Sequence, residues 1–209
     1  MKKINKSLKL LALLFACLAM PTVADAQLVK SMYANIDWQL NTPVGNDFAD
    51  KTSGWGVNAE AGYYFQPSMS IGGFVSYHTN NRYVDRQTMP VTPTSSVTSD
   101  QQHSLFQLPF GAALRYTFNR QGLFEPYVGV KLGANYSEMS TYLNVLKLYD
   151  RTWGFYAAPE LGMTVFFTPE KKFGIHFAAY YNYATNKSEV LTYKIDGMSN
   201  CGIRLGAAF

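Results

Sequence analysis

Five charged residues set among neutral neighbours carry the most chemical potential in this chain: Glu60, Arg115, Lys131, Glu160 and Arg204. Each lies on the polar side of a stretch in which polar and apolar residues alternate. Gathered inside one fold, they could neutralise one another as an ion-pair plug or line a polar path for a solute. Glu60 and Glu160 could also divide general acid and base roles between them. Charges withdrawn from water must be paired to be tolerated, so the residue types favour the plug. Nucleophilic chemistry is poorly supplied. Only His78, His103 and His176 exist, and no serine–histidine–acid set converges on them. Asn46, Asp47 and Asp50 in "GNDFAD" offer oxygens to a weak calcium site, although a solvated acidic loop has the same composition. Phosphate loops and cysteine–histidine clusters are absent, so no catalytic, cofactor or metal site is expected.

Those charges need a scaffold, and the front end must be set aside before it is sought. "MKKINKSLKLLALLFACLAMPTVADAQ" carries Lys2, Lys3, Lys6 and Lys9, an apolar run from about Leu10 to Met20, and then Ala24-Asp25-Ala26. This is the layout of a secretory signal peptide, with cleavage expected after Ala26. The apolar run falls short of the ~20 residues a spanning helix needs. Lipidation at Cys17 is the rival reading, disfavoured because bulky Phe15 stands where such a signal wants a small side chain. The chain therefore divides into a signal peptide, 1–26, and one domain, 27–209. The leader holds four of the 18 Lys and Arg and one of the 14 Asp and Glu, so the formal charge of +4 falls to +1 without it. Nothing in that balance points to nucleic acid. Cys201 is the one cysteine beyond the leader and has no partner for an intrachain disulfide.

From residue 30 the chain alternates with period two in eight stretches: 30–40, 54–65, 69–79, 104–118, 123–137, 153–167, 173–183 and 195–209. Most exceed the 5–6 residues usual for globular strands and reach the roughly 9–11 that cross a membrane. Short turns ("QPS", "NRQG", "TPEKK") alternate with longer connections at 41–53, 80–103, 138–152 and 184–194. The longest, rich in Thr, Ser and Pro, is expected to be a mobile loop. "YLNVLKLY" is expected to prolong its two strands above the membrane. The fold expected is all-β, an eight-stranded antiparallel up-and-down transmembrane β-barrel.

Alternation alone does not say which face is outside; composition does. The polar face carries few charges, Asp37, Glu125 and Asp196 among them, and twelve of the sixteen glycines. Glycine in a strand is costly unless space is short, and an eight-stranded barrel is just wide enough to be filled by its side chains. The polar face is thus the lumen. On the apolar face, Phe65, Phe118, Phe124, Phe167, Phe173 and Phe209 gather at the short-turn side. Trp38, Trp55, Tyr77, Trp153 and Tyr181 gather at the long-loop side, with an aliphatic band between. Two aromatic girdles around such a band mark a membrane barrel. Pro109 and Pro159 each remove a ladder hydrogen bond without breaking the alternation.

"FEPYVGVKLGANY", "WGFYAAPELGMTVFFTPEKKFGIHF" and the terminal "GIRLGAAF", with the signal peptide, resemble the small outer-membrane β-barrel proteins, the OmpA-like and OmpW-like barrels of Bacteroidetes type. The resemblance implies a monomer in the outer membrane of a Gram-negative bacterium, in contact with outer-membrane lipid and lipopolysaccharide. It also implies that a terminal aromatic, here Phe209, is read by the barrel-assembly machinery. "YHTNN" at 77–81 distantly echoes the His-x-Ser-Asn stretch of lipid A deacylases. Thr79 replaces the serine and the stretch lies on the third strand, so no enzymatic activity is expected. What remains for recognition are the loops and some unknown partner they meet. The expected role is structural or interactional. Transport of small or apolar solutes, in the manner of OmpW-like proteins, is the alternative.

Overall fold

The computed structural model describes residues 32–92, 94–144 and 146–209; the leader and its cleavage site lie outside them. Eight strands form a closed antiparallel barrel in chain order. They are β1 (Met32–Val44), β2 (Gly56–Tyr64), β3 (Met69–Thr92), β4 (Ser95–Thr117), β5 (Phe124–Leu143), β6 (Leu146–Phe166), β7 (Gly174–Val190) and β8 (Tyr193–Ala208). β8 returns to β1 in a ladder from Asn35↔Ala208 to Val44↔Ser199, which closes the sheet and removes its edges. Closure is what allows a sheet to cross lipid, because every backbone group in the crossing finds a partner on a neighbouring strand.

Period-two alternation sends one set of side chains inward and the other out. On β1, Tyr33, Asn35, Asp37, Gln39 and Asn41 are buried, while Ile36 and Trp38 are exposed. β7 keeps a strict buried–exposed alternation from Gly174 to Val190. Polar inside and apolar outside is the reverse of a soluble domain, and it fits a hydrocarbon exterior. The prolines fit without slippage. Pro109 pairs with Asn135, and β6 meets β7 in one register on either side of Pro159, at Ala157↔Tyr183 and Glu160↔Tyr180.

Two features differ from the sequence expectations. Three of the four long connections are not loops: β3 pairs with β4 up to Thr92↔Ser95, β5 with β6 up to Leu143↔Leu146, and β7 with β8 up to Val190↔Tyr193. The segment 80–103, expected to be mobile, is therefore a paired hairpin, with contacts such as Thr88 Oγ1 to Thr98 Oγ1 at 2.7 Å. Its Thr and Ser residues read as a loop by composition, yet Thr suits a pleated ribbon once pairing has been nucleated below. "YLNVLKLY" continues β5 and β6 as expected, turning at Asn144 with φ 57°. The second difference concerns Asp196, placed inward by parity. The β7–β8 register shifts between Ala184 and Lys187, opposite Gly197 with φ 89°. Ile195 takes the inward place, and Asp196 points out to pair with Lys187 at 3.1 Å.

Candidate functional site

The inward charges meet in the lower half of the lumen, below the protruding hairpins. Each of the five arrives from a different strand, so only the closed barrel brings them together. Arg115 Nε lies 2.6 Å from Glu60 Oε1, and its Nη2 lies 3.7 Å from Glu160. Lys131 Nζ bridges the carboxylates, 2.8 Å from Glu60 Oε2 and 3.0 Å from Glu160 Oε2, and donates to Asn58 Oδ1. Arg204 Nη1 pairs with Glu160 Oε2, and its Nε donates to Gln39 Oε1 at 3.0 Å. All five side chains are at most 4 % exposed.

Aromatic rings fill the space around these charges. Tyr33 donates to Glu60 at 2.8 Å, and the Arg115 guanidinium lies over both the Tyr33 and Tyr127 rings, 4.7 and 4.2 Å from their centroids. Arg204 covers Tyr180 at 4.1 Å. Two glycines make room for this. A Cβ on Gly62 would sit 2.5 Å from the Tyr33 ring, and one on Gly162 would sit 2.5 Å from Tyr127. Sequence reasoning places the glycines inside but cannot name which ring each one serves.

The network also contains residues the sequence reading did not join to it. Asp37 accepts from Asn58 at 2.8 Å and lies 2.6 Å from His176 Nδ1. His176 Nε2 lies 2.6 Å from the Tyr127 hydroxyl, which is 2.5 Å from Glu160 Oε1. The signal available was parity alone, since Asp37, Tyr127 and His176 all fall on the inward face. Three acids, Asp37, Glu60 and Glu160, thus stand against three bases, Arg115, Lys131 and Arg204.

Above this layer the lumen turns neutral and then apolar. Asn41, Asn80, Asn135, Asn186 and Gln107 are fully buried and hydrogen-bond among themselves, as in Asn41 Nδ2 to Asn80 Oδ1 at 2.7 Å. The β1–β2 connection folds into the mouth. Phe48 and Ala49 are buried against Leu105, Met139, Val190 and Ile195. Phe48 stacks on His103 with centroids 4.3 Å apart, and its carbonyl oxygen lies 3.0 Å from His103 Nδ1. Of the candidate calcium ligands, Asn46 Oδ1 instead accepts from the Phe48 amide, and Asp50 faces Arg82 at 3.8 Å. Among the described residues no group of three His, Cys, Asp or Glu is placed to hold a metal ion. His78 is buried beside Gln39. None of the three histidines contacts a serine hydroxyl in the described hydrogen bonds.

Outside, the lower rings Phe65, Phe118, Phe124, Phe167, Phe173 and Phe209 are all exposed beside the short turns, with Phe173 edge-on to Phe209 at 5.6 Å. Trp38, Trp55, Tyr77, Trp153 and Tyr181 are exposed toward the hairpin end. Tyr77, Phe106, Tyr136 and Trp153 touch in sequence, which makes that belt continuous from β3 to β6. Just above it Glu138 accepts from Lys147 at 2.6 Å and Arg151 at 2.7 Å, outside the hydrocarbon span.

Residues 10–209 match the model of a family described as the outer membrane protein beta-barrel domain. Among solved structures, the chain is similar to Neisserial surface protein A, at 16% identity and TM-score 0.53, over 85% of this chain and 95% of that one. It is also similar to OprG from Pseudomonas aeruginosa, at 15% identity and TM-score 0.47, over 85% and 94% of the two chains. For Ail, the attachment invasion locus protein of Yersinia pestis, the values are 14% and 0.42, over 86% and 97%. At these identities the likeness is one of fold. No curated protein matches the chain in sequence.

Proposed function

The chain belongs to the outer membrane protein β-barrel family, and we propose that it acts there as a sealed scaffold presenting its hairpins at the cell surface. On this reading the leader is cleaved after Ala26. The barrel stands as a monomer among outer-membrane lipid and lipopolysaccharide, and recognition falls to the protruding parts of β3–β4, β5–β6 and β7–β8. The role is not enzymatic. The observation that carries the reading is the lumen, where three acids and three bases neutralise one another in its lower half beneath an apolar cap centred on Phe48. A solute would have to break several buried ion pairs to pass, each strongly unfavourable to separate.

Planar-bilayer recording tests it. Purified barrel is expected to give no steady ionic current, and a stable current of ion-channel size would overturn the sealed scaffold in favour of transport. Orientation is tested in a Cys201→Ser background. A cysteine at Tyr149, exposed on the hairpin, is expected to react on intact cells with a membrane-impermeant maleimide. Failure to label, with the barrel present in the outer-membrane fraction, would place the hairpins on the wrong side.

A further inference from the structure

The chain of contacts Asp37–His176–Tyr127–Glu160 crosses the lumen from β1 through β7 and β5 to β6. Its links measure 2.6 Å, 2.6 Å and 2.5 Å. All are hydrogen-bond lengths, so three links need three hydrogens. A neutral imidazole supplies one and the tyrosine hydroxyl supplies one; ionised carboxylates at both ends supply none. The arrangement is one proton short.

The groups facing His176 decide where the missing proton sits. β1 presents Asp37, whose second oxygen accepts from Asn58 on β2. β6 presents Thr164 across the ladder and Glu160 beyond it, and β8 presents Gly206, with Arg204 one inward position above. β5 presents the Tyr127 ring, stacked on the imidazole at 5.7 Å, with Arg115 of β4 on that ring. Glu160 already faces Lys131, Arg115 and Arg204, and so is the last group in the chain to take a proton. Asp37 faces no fixed cation, and an imidazolium would supply one at contact distance. With neutral His176 the fixed charges cancel, so the added proton is held by geometry and by Asp37 alone.

We propose that this chain is a buried proton-binding site: His176 is held as an imidazolium that donates to Asp37 through Nδ1 and to Tyr127 through Nε2. Tyr127 in turn donates to Glu160. Without the proton one link must open, Asp37–His176 in the Nε2–H tautomer or one of the two at Tyr127 in the Nδ1–H tautomer, because two acceptors cannot face each other at 2.5–2.6 Å. Asp37 holds Asn58, which accepts from Lys131, and Tyr127 carries Arg115 on its ring, so the opening of either end of the chain loosens the plug. The occupancy of one proton is thereby coupled to the closure of the lumen.

Nitrogen-15 NMR of ring-labelled histidine in barrel refolded into lipid nanodiscs reads the state directly, with His176 assigned by the signals lost in His176→Gln. The expected wild-type result is two protonated ring nitrogens near neutral pH. Tyr127→Phe removes the acceptor that demands the third hydrogen. Asp37→Asn removes the counter-charge. Each is expected to weaken proton binding at His176 at least about tenfold, moving its titration down by about one pH unit. Folding of each variant is checked by heat-shifted electrophoretic mobility, and Asp37→Asn decides the matter if Tyr127→Phe does not fold. A wild-type His176 with a single protonated nitrogen, or a titration unmoved in the folded variants, overturns the proposal.

Discussion

Replacing Glu160 by glutamine separates a sealed lumen from a wet one. Glu160 lies within 4.0 Å of Lys131, Arg115 and Arg204, and its side chain is 1 % exposed. The substitution keeps size and shape but leaves two acids facing three bases. Removing one partner of a buried pair costs about 3–5 kcal/mol, because the remaining ion keeps its desolvation penalty. In a water-filled lumen the same change would cost roughly 0–1 kcal/mol, since solvent screens the pair. The assay is reversible urea unfolding in lipid vesicles, followed by tryptophan fluorescence. With an m-value of about 1–3 kcal/mol per molar urea, a loss of about 3 kcal/mol lowers the midpoint by about 1–3 M. Adding Lys131→Met restores charge balance, so the double variant should recover most of the loss. A midpoint shift worth less than about 1 kcal/mol, or a double variant no better than the sum of the singles, would refute the closed ion-pair plug.

Four further outcomes follow from particular contacts. Gly111→Val should abolish the heat-modifiable folded barrel, because even a Cβ there would stand 2.2 Å from the Leu132 carbonyl oxygen and 2.5 Å from Gly133 Cα; Gly73→Ala, with nothing nearer than 3.7 Å, should fold. Phe48→Ala should cost about 3–5 kcal/mol of local stability, seen as faster proteolysis within residues 45–55 while the strands stay protected. The hydrogen bonds from Lys147 and then Arg151 hold the Glu138 carboxyl below the usual carboxylate range. The folded state then binds that proton less well than the unfolded one, so the contribution is complete above the unfolded value and lost as pH falls through the folded one. Amide protection of the β5–β6 hairpin should therefore stay level from pH 7 to about pH 5 and decline only in stronger acid. Phe209→Ala removes a ring from the lower girdle beside Phe173 and should lower the amount of assembled barrel in the outer-membrane fraction; unchanged assembly would show that ring to be dispensable.

Much of the fold is written in local pattern. Val57, Ala59, Ala61 and Tyr63 against Asn58, Glu60 and Gly62 declare a strand with two different solvents, whatever its neighbours are. The same rule identifies Trp153 as outward and Glu160 as inward without knowledge of pairing, and glycines on the polar face identify that face as the crowded one. Local pattern fails at the hairpins. Thr88 and Thr98 look like loop residues until pairing below them is in place, and Asp196 keeps its parity only until a register shift opposite Gly197 turns it out.

The sequence by itself therefore determined the number of strands, the two faces of each and the girdles, because a period of two depends only on the backbone of the strand concerned. It also supplied the charges that parity turns into the lumen, Glu60, Arg115, Lys131, Glu160 and Arg204 among them. Only the tertiary structure decided which of them meet. Glu60 finds Arg115 and Lys131, Asp37 finds His176, and Phe48 finds the mouth. Asp37 and His176 are 139 positions apart. Such encounters are set by the stagger of strands around the closed barrel, a quantity that no single strand carries.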